Sequence, residues 1–189
     1  MCGSVMIGGE YEIRQVIGVD SLFLDFGETK QYRPSESLPA ITFTQGKLTC
    51  EHYLWGIQHP QTSQLIINAR AETAADKAMF SQAWLSQRCL LPVKAWHEWR
   101  NQERFEFRLD HSHLLLLGAL YIRQHQHEQA RLVVLTQNAS SQLTQYHHRM
   151  PLLFELESGL AWLAGQASQS KPQQFHYHVS SNSPQLGLF

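Results

Sequence analysis

The stretch LLLLGALYI at residues 114–122 and the stretch RLVVLT at residues 131–136 decide the fold. Each is a short, continuous apolar run, and this pattern predicts a strand buried on both faces. The polar residues 123–129 between them suit a hairpin loop. Residues 105–109 and 175–179 alternate between apolar and polar, which predicts strands that each turn one face to the core.

Three helices are predicted beside these strands. The first begins at Thr73, with Asp76 near the positive end of the helix dipole. The second follows Asn138 as its N-cap and runs to about Tyr146, and the third covers residues 157–163. Because the elements do not alternate as βαβ units, we expect an α+β fold with a curled, largely antiparallel, barrel-like sheet and a few flanking helices.

The composition points to one compact domain spanning residues 1–189. Apolar residues make up 43% of the chain and charged residues only 16%, which excludes a disordered protein. The formal net charge is -1, so any phosphate binding would come from a local cluster of basic groups. The longest apolar run is far shorter than the roughly 20 residues that span a bilayer, and no secretory signal is evident. We expect a cytoplasmic protein with no membrane partner.

Cys2 is the first candidate for chemistry. Removal of Met1 would leave an α-amine and a thiol on one residue, a 1,2-aminothiol. The α-amine has an ordinary pKa of about 7.7–8.0, against about 10.4 for lysine, so it is the better nucleophile near neutral pH. It attacks an aldehyde to give an imine, on which the thiol closes a thiazolidine ring. Taken alone, Cys2 fits an incidental cysteine at a frayed terminus better than a nucleophile.

Two further segments, residues 68–72 and the segment around Glu98, carry polar groups suited to a site. If residues 68–72 are extended, Asn68, Arg70 and Glu72 share one face, where an amide and a guanidinium suit a hydroxyl and a phosphate. The same row is also compatible with hydrogen bonds to local backbone. Glu98 stands between tryptophans, which favours a raised pKa and a role in proton transfer, although it would also suit a solvated sheet edge.

The histidines are the last group of candidates. His147 and His148 are expected to point different ways, so that one enters a site, or else to end a helix as a solvated pair. Strand-like pairs occur at 111/113, 125/127 and 176/178. These pairs lack an evident third ligand, and no metal site is predicted from them. The three cysteines are far apart and form no CxxC pair, so neither a disulfide framework nor a cysteine zinc site is expected.

Four motifs occur together in an order and spacing that resemble the SOS-response-associated peptidase (SRAP) family. They are MCG at 1–3, NARAET at 68–73, RCLLP at 88–92 with Glu98-Trp99, and HxRMP at 147–151. Arg33-Pro34, Trp55-Gly56 and the looser VSSNSP at 179–184 extend the resemblance over nearly the whole chain.

The resemblance implies a sensor that traps abasic sites in single-stranded DNA covalently and shields them. Carried over residue by residue, it makes Cys2 the nucleophile and gives Asn68 the task of orienting the lesion and the terminus. Glu98 would transfer protons during imine formation and ring closure. His147 would act as the acid that opens the deoxyribose to its aldehyde.

The resemblance also implies contacts to the DNA strand. Arg70 and Arg149 would hold flanking phosphates, and Trp55 would stack on a base. We expect no cofactor, a monomer, and single-stranded DNA with abasic sites as the partner. Two alternatives stay open: a thiol peptidase that acts on itself or on other chains, and a non-covalent DNA-binding or metal-binding module that has kept the fold.

This chain departs from the family pattern at three places. Ser4 stands where an arginine is common, which predicts weaker DNA binding. The segment AWHEW at 95–99 replaces Gly-Phe/Tyr-Tyr-Glu-Trp, keeping the acid but changing its surroundings. Residues 57–60 lack a second tryptophan that would wedge against the bases.

Overall fold

A computed structural model describes residues 2–17, 26–109, 114–123, 129–166 and 175–181. In these ranges the strands are β1 Ser4–Ile7, β2 Lys30–Tyr32, β3 Ser37–Thr44, β4 Lys47–Trp55, β5 Ile57–Gln58, β6 Leu65–Ile66, β7 Asn68–Arg70, β8 Arg88–Arg100, β9 Glu103–Leu109, β10 Leu115–Ile122, β11 Arg131–Asn138, β12 Arg149–Pro151, β13 Leu153–Phe154 and β14 Tyr177–Ser181. The helices are α1 Glu10–Ile17, α2 Ala71–Ala74, α3 Ser81–Ser86 and α4 Leu156–Leu163.

The long strand β8 organises a ring-like sheet. It pairs with β3 on one side and β10 on the other, and β10, β11, β4 and β3 follow one another to close the ring. Strand β8 also pairs with β1 and with β9, which in turn carries β14. Most pairings are antiparallel, whereas β11 pairs in parallel with β4 and β7. The predicted α+β class and the curled, largely antiparallel sheet are confirmed, as a ring rather than a true barrel.

The core lies inside this ring. Residues 115–120 of β10 and 132–136 of β11 are buried without interruption, which confirms the prediction of two strands buried on both faces. Gly118 interrupts the leucine run because the chain at Leu152 passes close by. Its N–H donates to the carbonyl of Leu152 at 2.9 Å, and a Cβ on Gly118 would lie 3.0 Å from the ring of Phe154.

Several local predictions are confirmed. Strand β9 covers residues 105–109, β14 begins two residues after 175, and α4 matches the third helix to within one residue. Strands β10 and β11 pair as a hairpin through Ile122 and Arg131, and the loop residues 124–128 lie outside the described ranges.

Two helix predictions are wrong. Thr73 lies inside α2, whose start is fixed at residue 71 because β7 pairs with β11 up to Arg70. Glu72 is therefore on a helix and not in an extended row with Asn68 and Arg70. Asn138 pairs with Arg149 in the sheet and cannot cap a helix, and residues 141–146 form turns.

Two findings concern classes of protein raised by the sequence. Among the residues that the structure describes, no helix is long and apolar enough to cross a membrane. In the part of the chain that the structure describes, no three His, Cys, Asp or Glu side chains come together as a metal site would require. His111, His113, His125 and His127 lie outside that part.

Candidate active site

Cys2 is held from two sides at the start of β1. The N–H of Gly3 donates to the carbonyl of His97 at 3.0 Å, which attaches this segment to β8. From the other side, Asn68 Nδ2 donates to the carbonyl oxygen of Cys2 at 3.1 Å. The Cys2 side chain is fully buried, and its Sγ contacts the carbonyl of Ser4 at 3.8 Å. The residue is therefore fixed in the structure rather than frayed.

Asn68 reaches Cys2 from β7. Its strand pairs with β11 at Val134, so the position of the amide depends on the apolar core. The Oδ1 atom of Asn68 is buried, and no hydrogen bond to it is found among the described residues. The side chain thus orients Cys2 with its nitrogen and keeps an acceptor oxygen for another group.

Glu98 on β8 is the buried carboxyl of the site, with only 2% of its surface exposed. Burial raises its pKa to about 7, although the charge of the amino terminus acts in the opposite direction. Burial also raises the pKa of the Cys2 thiol well above its usual range, and the charge of Glu98 adds to this effect. At neutral pH the thiol is protonated, while Glu98 is poised to give or take a proton.

His147 lies two residues before the start of β12. Its Nδ1 lies 2.9 Å from the backbone nitrogen of Arg149 and 3.1 Å from the carbonyl oxygen of the same residue. In the tautomer that accepts from the Arg149 N–H, the ring proton is on Nε2. Burial and then the charge of the amino terminus lower its pKa. The ring stacks on His148 with centroids 4.3 Å apart, so the expectation that the two imidazoles point different ways is wrong.

Arg149 is a buried clamp. Its guanidinium donates two hydrogen bonds to the carboxylate of Glu72, at 2.8 and 2.7 Å. It also donates to Asn138 Oδ1 at 2.8 Å and to the carbonyl of Thr136 at 2.6 Å. These bonds join β12, α2 and β11 next to His147. The structure corrects the expected phosphate contact, because this guanidinium faces the protein and only Arg70 is exposed.

Trp55 is also corrected by the structure. Its side chain is fully buried at the end of β4, and its Nε1 donates to the carbonyl of Ile67 at 2.9 Å. No face of the ring is open to a base. Trp55 instead fixes the chain just before Asn68, which makes it a support for the site.

The candidate residues are therefore linked to Cys2 in different ways. Asn68 contacts Cys2 directly, and Glu98 acts on Cys2 through its charge. The charge of the amino terminus acts to lower the pKa of His147 and the pKa of Glu98. Arg70 lies on the same strand as Asn68, with its side chain in solvent.

A buried polar network behind the site was not predicted from the sequence. Ser4 Oγ and His97 Nδ1 are 2.7 Å apart, and His97 Nε2 lies 3.0 Å from Glu106 and 2.6 Å from Arg104. Gln31 donates to Ser4 and accepts from Arg104. Ser4 and His97 are cross-strand neighbours, and both depart from the family pattern. That joint departure was the signal in the sequence that could have indicated the network.

Known proteins resemble this chain in sequence and in fold. The abasic site processing protein YoqW of Bacillus subtilis (strain 168) is 26% identical over 180 residues, which are 86% of this chain and 80% of that protein. The abasic site processing protein YobE of the same strain is 27% identical over 180 residues, or 86% and 82% of the two chains.

Solved structures share the fold at low identity. A protein from Bordetella bronchiseptica superposes with a TM-score of 0.76 at 20% identity, covering 96% of this chain and all 100% of the other. A protein from Bacteroides thetaiotaomicron gives a TM-score of 0.73 at 18% identity, covering 96% and 93%. The sequence model of one family, SOS response associated peptidase (SRAP), matches residues 1–185. The chain belongs to the SRAP family.

Proposed function

We propose that this protein captures abasic sites in single-stranded DNA by forming a thiazolidine through Cys2. The observation that carries the proposal is the buried Cys2, held by Asn68 and lying in the field of a carboxyl with a pKa of about 7. The names of its relatives, abasic site processing proteins, support the same substrate. The proposal requires that Met1 be removed, so that the α-amine belongs to Cys2.

The reaction begins with the sugar of the lesion. The closed deoxyribose opens when its C1–O4 bond breaks, O4 gains a proton and the 1-hydroxyl loses one to solvent. His147 carries its proton on Nε2 and supplies the proton to O4. The lowered pKa of His147 keeps the ring neutral at physiological pH, so this nitrogen acts as a hydrogen-bond donor and a weak acid.

Imine formation then joins the DNA to the protein. The α-amine of Cys2 adds to the aldehyde carbon, and the resulting hydroxyl leaves as water after protonation by neutral Glu98. The carboxylate so formed accepts the proton of the thiol as Sγ bonds to the same carbon, and the nitrogen keeps its own proton. One water is released overall, and Glu98 returns to its starting state.

Asn68 has two tasks in this scheme. Its Nδ2 holds the carbonyl of Cys2, and its buried Oδ1 accepts a hydrogen bond from the α-amine or from the hydroxyl of the opened sugar. Arg70 contacts a phosphate next to the lesion from its exposed position. Because the net charge is -1 and Ser4 is buried, we expect weak binding to intact DNA and retention through the covalent bond.

A denaturing gel tests the proposal. The purified full chain is incubated with a single strand that carries one abasic site, and with the same strand carrying a tetrahydrofuran analogue that has no aldehyde. We expect a heat-stable adduct with the first strand and none with the second. Cys2→Ala abolishes the stable adduct, whereas Cys50→Ala, which removes a cysteine outside the site, leaves it unchanged.

Other outcomes identify the alternatives. An adduct of equal yield and heat stability from Cys2→Ala contradicts the role of the amino terminus. Equal retention of intact and abasic strands with a steep salt dependence, and no adduct, indicates a non-covalent DNA-binding module. Turnover of peptides that depends on Cys2 indicates a peptidase, which the protonated, buried thiol does not favour.

A further inference from the structure

A cavity of about 350 Å³ lies next to the segment of chain that leads into the candidate active site. The turns that lead to His147 form one wall, and β14 forms the other. Its lining residues are Gln142, Leu143, Gln145, Tyr146, Tyr177 and Val179. Tyr146 is the residue directly before His147, so the cavity and the site share one segment of chain.

The cavity opens on the same face of the sheet as Glu98. In the antiparallel register, Glu98 pairs with Phe105, and Phe105 pairs with Ser181. Paired residues point to the same face, and alternate residues along β14 return to it, so Tyr177 and Val179 lie on the face of Glu98. Two strand spacings separate β8 from β14, a distance of about 10 Å.

The two tyrosines that line this cavity are held in place by contacts with other aromatic rings. The ring of Tyr146 packs against Phe105, with centroids 5.0 Å apart, and meets Phe107 edge-on at 5.5 Å. Tyr177 meets the buried Trp96 edge-on at 5.8 Å. Packing against buried rings fixes both tyrosines, so they lose little freedom when a flat ligand stacks on them.

The chemistry of the lining identifies the ligand class. None of these six residues carries a charge, so no charged side chain of the described part of the chain lines the cavity to hold a phosphate. Tyrosine rings stack on the faces of nucleobases, and glutamine amides donate to and accept from their edges. The volume is within the range of small-ligand pockets, large enough for one base and too small for a duplex.

We infer that this cavity holds the unpaired base next to the abasic site, stacked on Tyr146 with its edge at Gln142. The inference rests on the proposed function, since it assigns a neighbouring nucleotide of the same DNA strand. A lesion without a base offers nothing to stack on, so the protein gains affinity from the flanking base. Because a base must be unpaired to enter the cavity, the inference predicts tighter binding to single strands than to duplexes.

Non-covalent binding tests this cavity separately from the covalent step. The probe is a single strand with a tetrahydrofuran analogue and a fluorescent 2-aminopurine beside it. We expect binding to quench the fluorescence through stacking. Tyr146→Leu removes the quenching and raises the Kd roughly tenfold, the lower part of the range for losing one base–aromatic stack. Tyr146→Phe keeps the ring and therefore both signals.

Matched controls keep the result specific. Tyr11→Leu removes an exposed tyrosine outside the cavity and leaves both signals unchanged. Gln142→Ala, a change at an exposed position, keeps the quenching but alters the preference among the four bases. When the flanking base is also absent from the strand, wild type and Tyr146→Leu bind equally.

The outcomes separate the two proposals. If wild type forms the covalent adduct but binds with equal affinity whether or not a base flanks the lesion, the cavity is not a base site and the proposed function stands. If quenching depends on Tyr146 while no adduct forms on abasic DNA, the base site stands and the proposed function falls. Unchanged quenching in Tyr146→Leu overturns the inference in either case.

Discussion

The two faces of β8 hold buried polar groups in opposite ways. On one face His97 is fully buried, with Ser4 at one ring nitrogen and Glu106 at the other. On the other face, one residue along, burial raises the pKa of Glu98 to about 7. Burial also acts to raise the pKa of Glu106, but hydrogen bonds from Arg108 and His97 bring it below its ordinary value.

The different pKa values of these two carboxyls indicate different roles, one in stability and one in proton transfer. Partners that stabilise the charged form of a buried carboxyl make it a fixed part of the fold. A carboxyl whose charge is costly exchanges its proton near neutral pH, which is what acid–base catalysis requires. The comparison predicts that changes on the Glu98 face alter rates and pH profiles, whereas changes on the His97 face alter stability.

The largest effect is expected from Glu98→Gln on the rate of crosslinking. General acid–base catalysis contributes about 10²-fold or more, so single-turnover adduct formation at pH 7 should slow by at least that factor. In wild type the rate falls above about pH 7 as Glu98 loses its proton. In the variant this fall is absent, and the rate only rises as the α-amine deprotonates. An unchanged pH profile would remove Glu98 from the proton transfers.

The same variant, although slower in crosslinking, is expected to gain stability relative to wild type as the pH rises. Because the folded pKa of about 7 exceeds the ordinary 4.5, the folded protein holds this proton more tightly, and stability is lost as pH rises from 4.5 to 7. The free energy of unfolding of Glu98→Gln, relative to that of wild type, should therefore be about 3 kcal/mol higher at pH 8 than at pH 4. Urea denaturation at both pH values measures it, and equal differences would contradict the raised pKa.

Sequence patterns predicted the architecture where burial is uniform. Leu114–Ile122 is apolar throughout, and Arg131–Thr136 contains the apolar run at 132–135. Short runs of this kind favour strands that are buried on both faces. The helix starts predicted at Thr73 and Asn138 are wrong, although both are capping residue types. Strand pairing of residues 68–70 with β11 fixes the start of α2, and Asn138 itself pairs with Arg149 in the sheet. Strand pairing over a long sequence separation leaves no local signal at either position.

The candidate site shows the same division. Cys2, Asn68 and Glu98 carry chemistry that residue type and motif order indicate, and the structure links them. Trp55 and Arg149 are residue types that can bind a base and a phosphate, but both are buried here. Whether such a side chain faces solvent depends on packing, which residue type does not reveal. The cavity at Tyr146 has no motif, because its two walls are distant in sequence.

His97→Leu tests the other side of the comparison. It removes the hydrogen bonds that His97 makes with Ser4 and Glu106, which we expect to lower the free energy of unfolding by about 2 kcal/mol. The pH profile of crosslinking, normalised to its maximum, should keep its shape because Glu98 is unchanged. A shifted profile with full stability would show that the two faces are not separate.

Ser4→Ala is expected to have the smallest effect. It removes one hydroxyl between His97 and Gln31, at a cost of about 1 kcal/mol in thermal or urea denaturation. Crosslinking should continue at a similar rate, since the Gly3–His97 backbone bond still holds Cys2. Loss of crosslinking in a stable Ser4→Ala protein would place Ser4 in the site itself.

Intact-mass spectrometry of the purified protein, before and after incubation with a single strand that bears one abasic site, tests whether Cys2 forms the thiazolidine. We expect a chain that lacks Met1, followed by a gain equal to the strand minus one water, and no stable gain for Cys2→Ala. A chain that retains Met1 and still forms the same adduct would contradict this expectation.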